Sequence, residues 1–183
     1  MLENKLIEHC SPALAGLKTA NMFNYRFTSI DMLSREIEDA NEKLNEKGVY
    51  VDILRINEYR VLLYVYRKKR LEQDLLKPGV MEFLRKYGYE NTKTGDCLTR
   101  LKNRFDTADC FSHEIGLFLD YPLPDVTGFI EQSGRNCKCC GVWKVYNNEN
   151  ETKALFDRFR KCTEVYRKVF ARGRTLAQLT VAA

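Results

Sequence analysis

Apolar residues recur at steps of three and four at Ile30, Leu33, Ile37, Ala40 and Leu44, a spacing that predicts an amphipathic helix. It opens at Thr28 or Ser29, runs to Lys47 and stops at Gly48. After Gly48 the period falls toward two. Residues 49–56 and 60–67 are rich in Val, Ile, Leu and Tyr, and Asn57 and Glu58 stand between them, so 49–67 reads as a β-hairpin. Upstream, Leu2 and Leu6 share a helical face over 2–10, with Ile7 at its edge. Ser11-Pro12 then reads as an N-cap followed by a proline at the first position of a second helix, about 12–23. Downstream, Pro78 divides helices at 68–77 and 78–87, Gly88 ends the second, and further helices fall at 94–105 and at 151–172 before Gly173. The stretch 112–132 has two readings: two helices around a Tyr121-Pro122 turn, or a strand over 113–119 followed by a turn. Residues 141–146, with the lone Trp143, have strand character. The expected fold is α+β, a small antiparallel sheet of about three strands covered by about six helices.

Composition adds bounds. The 183 residues are 44% hydrophobic and 30% charged, ordinary for a globular chain, and without a repeat or a long linker they are expected to form a single domain over 1–183. No apolar run approaches the roughly 18 residues needed to span a bilayer, and the opening MLENKLIEHC lacks a signal-peptide core. The expectation is a cytoplasmic protein that does not engage membranes. Seven cysteines, an odd number, then favour catalytic, metal-binding or core roles over a disulfide framework. The net charge of +5 is modest and its basic residues lie on glutamate-rich elements, which argues against a nucleic-acid partner.

Both histidines sit beside a cysteine: His9 precedes Cys10, and His113 follows Cys110 by three residues. A thiol just before a helix N-terminus feels the positive end of the helix dipole and gains thiolate character, and Ser11-Pro12 predicts that placement for Cys10. With Cys10 as nucleophile, His113 as base and Asp125 orienting the imidazole, the chain would transfer an acyl group through a thioester, with no cofactor. Asp120 and Glu114 compete with Asp125 for the orienting role.

Several blocks together carry a resemblance. They are His9-Cys10-Ser11-Pro12-Ala13-Leu14-Ala15-Gly16-Leu17-Lys18, His113-Glu114-Ile115-Gly116-Leu117-Phe118-Leu119, Tyr121-Pro122, Asp125-Val126, Gly128-Phe129-Ile130 and Cys140-Gly141-Val142-Trp143-Lys144-Val145-Tyr146. The chain resembles a family of uncharacterised proteins from clostridia and related anaerobes, a domain of unknown function, over nearly its whole length. Asp120 departs from the glycine usual there. The resemblance implies an anaerobic, cytoplasmic bacterial setting and no activity. A shorter stretch, Cys10-Ser11-Pro12-Ala13 with Ala15, is similar to the start of the nucleophile helix of papain-like cysteine peptidases and their acyl-transferring relatives. That similarity implies the order Cys10, His113, Asp125 and an oxyanion-stabilising role for Asn4, whose side chain is shorter than the glutamine those enzymes use. The substrate class would be a thioester, amide or peptide-like small-molecule or carrier-bound acyl compound.

Two alternatives remain open on the residues. Cys137, Cys139 and Cys140, beside Lys138 and Gly141, could ligate zinc or an iron–sulfur cluster or act as a dithiol. Their spacing would require ligands borrowed from Cys110 and His113, or from His9 and Cys10. Alternatively every cysteine is structural and the chain is a non-catalytic binding or regulatory module. Residues 112–132 have a helix-turn-helix rhythm, but 125–132 lacks Arg and Lys and carries Asp125 and Glu131, so a packing motif is expected over a DNA reader. The sequence leaves the oligomeric state undetermined.

Overall fold

The alternation in the hairpin organises the molecule. The computed structural model describes residues 1–107 and 111–182. Strands β1 (Ala20–Arg26), β2 (Val49–Asn57) and β3 (Arg60–Arg67) form an antiparallel sheet in the order β1-β3-β2. Along the central β3, Val61, Leu63 and Val65 face one side while Tyr64 and Tyr66 face the other, the period-two pattern of a strand buried on both faces.

Helices cover each face. On the valine side lie α1 (Leu2–Leu14), α2 (Ile30–Leu44) and α9 (Leu176–Leu179), joined by the later turns of α8 (Glu149–Ala171). On the tyrosine side lie α3 (Lys68–Leu75), α4 (Val80–Arg85), α5 (Thr94–Thr107), α6 (Ile115–Phe118) and α7 (Leu123–Glu131). A two-stranded ribbon, β4 (Cys139–Cys140) with β5 (Lys144–Val145), packs through Trp143 and Val145 against Phe159 of α8. The protein is thus α+β, as expected.

Two expectations change. The break at Ser11-Pro12 and the helix over 12–23 do not exist: α1 continues through Pro12 to Leu14, and the chain then turns into β1. Pro12 lies in the last turn, where its missing N–H costs one helical bond, and Ser11 Oγ donates back to the Ile7 carbonyl. Gly16, at φ 72°, reverses the chain. The third strand of the main sheet is therefore β1, paired with β3 from Ala20↔Tyr66 to Arg26↔Arg60, and residues 141–146 contribute only to the separate ribbon. Of the two readings of 112–132, the two-helix one holds.

The layers are tied together at one point by a buried cation. Arg67, at the end of β3, is 2% exposed and donates to the carbonyls of Ala13 at 2.5 Å, Leu14 at 2.7 Å and Val181 at 2.7 Å. The end of α1, the sheet and the segment after α9 thus share one guanidinium.

Candidate functional site

The short turn between α6 and α7 and the β4–β5 ribbon face one another across a pocket of about 310 Å³. Its floor is Met22 from β1 with Ile115, Leu119 and Val126, all carried by or packed on the tyrosine-side layer. Its walls are aromatic: Phe111, Tyr121, Phe129 and Trp143, with His113 among them. Close helix crossing makes this wall possible, since a Cβ at Gly116 would stand 2.7 Å from Val126 Cγ2 and 3.1 Å from the Tyr121 ring.

Trp143 and Tyr121 are held firmly. Their rings stack at 4.5 Å, Phe156 of α8 meets Trp143 edge-on at 4.6 Å, and the Lys18 ammonium lies 4.9 Å from the Tyr121 ring centre. The Trp143 indole N–H donates to Asp125 Oδ2 at 2.8 Å. Asp125 Oδ1 accepts the backbone N–H groups of Tyr146 and Asn147, each at 2.8 Å. Asp125 is 2% exposed, and these three bonds are what permits its burial. Behind Tyr121 and Trp143 lies a more polar cleft of about 450 Å³ bordered by Asp74, Lys77, Asp120 and Glu151. Lys77 bridges the two carboxylates, at 2.6 Å from Asp74 and 3.5 Å from Asp120. Asp120 adopts φ 65°, the left-handed turn conformation in which glycine is the least strained residue.

The structure separates the residues grouped from the sequence. Cys10 is fully buried on the valine side of the sheet among the side chains of α1 and its neighbours, whereas His113 lines the pocket on the tyrosine side. Cys10 also lies near the C-terminal end of α1, where the dipole disfavours a thiolate, and burial pushes its thiol well above the ordinary range, with Lys18 opposing. The predicted pairing of Cys10 with His113 is therefore not formed. Asn4 is exposed on α1; at six residues from Cys10 it projects about 120° away around the helix axis. Asp125 has both oxygens committed to Trp143, Tyr146 and Asn147, while the His113 ring meets Phe129 at 4.9 Å and Phe111 at 5.6 Å. Glu114, the other candidate for orienting His113, is buried and paired with Arg104, with the Tyr89 hydroxyl 3.4 Å away.

His9 stacks on Phe23 at 4.9 Å, and burial lowers its affinity for a proton. Cys110 lies outside the described residues. Cys139 and Cys140 are consecutive in β4 and so project to opposite sides, Cys139 against the Trp143 cluster and Cys140 into the pocket. Among the described residues no three His, Cys, Asp or Glu side chains gather to hold a metal ion.

What the fold does assemble is His113, Cys140 and the aromatic wall around one cavity. Sequence reading missed Tyr121, Phe129 and Lys18 as site residues. The signal was present in part: a lone tryptophan in a strand-like segment needs a buried acceptor for its indole N–H, and Asp125 is one of the carboxylates that could supply it.

Fold and site together define an α+β protein with a central antiparallel sheet, helices on both faces and an aromatic pocket under a small ribbon. The chain belongs to the family described as "Protein of unknown function (DUF3793)", whose model matches residues 6–180. Comparison with curated proteins and with solved structures gave no match. Among the described residues no helix is long and apolar enough to cross a membrane.

Proposed function

We propose that the protein is a binding module that takes a small, flat and largely apolar molecule into the aromatic pocket. The observation that carries this reading is a cavity of about 310 Å³ whose wall is Phe111, Tyr121, Phe129 and Trp143 and whose polar groups are few. That volume and lining match small-molecule sites in general, where aromatic surface supplies affinity and one or two polar groups fix orientation. His113 has no hydrogen-bond partner among the described residues, so its imidazole is available to an acceptor or an acid on the ligand.

Because Trp143 is the only tryptophan, its emission reports the pocket directly. Titration with 1-anilinonaphthalene-8-sulfonate, a flat aromatic acid, is expected to quench Trp143 saturably with one site per chain. Phe129→Ser is expected to weaken binding about tenfold, in line with the roughly 1.4 kcal/mol that a lost aromatic contact removes. Unsaturable quenching, or equal binding by the variant with its far-UV spectrum intact, would overturn the reading.

One observation favours a second reading, in which the pocket also does thiol chemistry: Cys140 and His113 line the same cavity. The Cys140 sulfur would attack the acyl carbon of a thioester as His113 takes its proton, leaving an acyl-enzyme and a free leaving thiol. Alkylation by iodoacetamide, mapped by mass spectrometry from pH 6 to 9, is the check. Cys140 should react faster than a free thiol near neutral pH and lose that advantage in His113→Ala; ordinary reactivity, unchanged in the variant, removes this reading.

A further inference from the structure

The second half of α8 and the turn after it gather the positive charge of the molecule. Residues 158–174 contain seven Arg and Lys side chains and one carboxylate, Glu164, so this stretch alone exceeds the chain's net charge of +5. Arg158, Lys161, Lys168 and Arg172 stand three, seven and four residues apart. At 100° per residue they fall within about 80° of one another, on a line about 21 Å long. All four are exposed, and none has an ion-pair partner among the described residues. Of the four acids of α8, Glu149 pairs with Lys153 at 2.6 Å and Asp157 with Arg160 at 2.9 Å, Glu151 lies before the start of the line, and Glu164 stands on its flank, about 40° around the helix from Lys168.

We infer that this stripe is a docking surface for the phosphodiester backbone of duplex DNA, independent of the pocket. Four unpaired cations in a straight line fit a linear polyanion better than a compact acidic patch. An anionic membrane fits less well, because an interfacial helix needs a free apolar face. Here Phe159 is buried in the Trp143 cluster, Tyr166 and Phe170 pack toward the sheet, and Val165 alone of the large apolar side chains of α8 is strongly exposed, at 55%. Single strands are disfavoured for a related reason, since no exposed aromatic of α8 flanks the stripe as a stacking platform. A helix about 10–12 Å across also matches the roughly 12 Å major groove of B-form DNA, whereas the A-form groove is too narrow to admit it. The expectation against nucleic acid rested on basic residues lying on glutamate-rich elements; in the second half of α8 and the turn after it seven of them stand against the single Glu164.

The test is fluorescence anisotropy of the full chain with a labelled 20-base-pair duplex of arbitrary sequence. Neutralising about four phosphates predicts a slope of log affinity against log salt near −3.6, which is a loss of about 150-fold between 50 and 200 mM salt. Lys161→Glu with Lys168→Glu should abolish binding at 50 mM. Lys68→Glu with Lys69→Glu, the same charge change at exposed sites on α3, should preserve most of it. Thermal melts of both variants establish that they fold. No binding at 50 mM salt, equal losses in the two variants, or tighter binding to duplex RNA or to phosphatidylserine vesicles than to DNA would overturn the inference.

Discussion

Lys18 illustrates how a single buried side chain sets a pH response. It is 2% exposed, and burial drives its ammonium down to about 8, against the pull of Asp120 and, more weakly, Cys10. An unfolded lysine keeps its proton to about pH 10.4, so between pH 8 and 10 the unfolded chain binds more protons than the folded one and stability rises with pH. Below pH 8 the buried charge costs roughly 3 kcal/mol even with Asp120 beside it. Lys18→Met should therefore be more stable than the natural chain at pH 7, and that advantage should shrink by pH 9.5. Urea unfolding at the two pH values measures it, and an advantage that does not change with pH would refute the assignment. Asp125 is the contrasting residue. It too is buried, yet three donors meet its two oxygens, so its charge is matched by hydrogen bonds rather than left to repel its surroundings.

Among the elements, the joint between α7 and the segment after β5 depends on what is missing. A Cβ on Gly128 would stand 2.6 Å from Tyr146 Cγ and 2.8 Å from its Cβ, so the helix approaches this close only because position 128 is bare. Gly128→Ala is expected to cost about 1–3 kcal/mol through this overpacking and to weaken occupancy of the pocket. Gly95, in the first turn of α5, meets nothing within 4 Å, and Gly95→Ala should be neutral or gain up to about 1 kcal/mol. Paired denaturation curves decide the contrast: similar losses in both variants would mean that helix propensity, and not the Tyr146 contact, governs position 128.

Elements with a strong internal period were legible in the sequence. Helix α2 and the β2–β3 hairpin announce themselves because each buries a regular stripe of its own residues. Strand β1 did not, for two local reasons. Pro12 imitates a helix start, and Asn21 and Asn24 dilute an alternation that becomes visible only when Ala20 and Met22 meet Tyr66 and Tyr64 while Phe23 meets Leu63. The site was legible residue by residue and illegible as a constellation. Which thiol shares a cavity with His113 is decided by the placement of β4, whose two-residue pairing carries no period at all.

In the whole molecule, the sheet separates two chemistries that the linear sequence seemed to join. Cys10 serves the layer under α1, His113 and Cys140 serve the pocket, and β3 lies between the two layers. Charge is divided as well, with the exposed side of α2 presenting Asp31, Glu38, Asp39 and Glu42 and the outer flank of α8 presenting Arg158, Lys161, Lys168 and Arg172. Arg67 links these parts, and its position has a consequence in time. A chain made from its N-terminus completes every strand of the main sheet long before Val181, 114 residues after Arg67, exists to accept the guanidinium. Until then the growing chain holds a desolvated cation short of one of its three carbonyls, a configuration that disfavours closure of the interior. The native packing around Arg67 is thus completed only once residue 181 has been made, well after every strand of the main sheet.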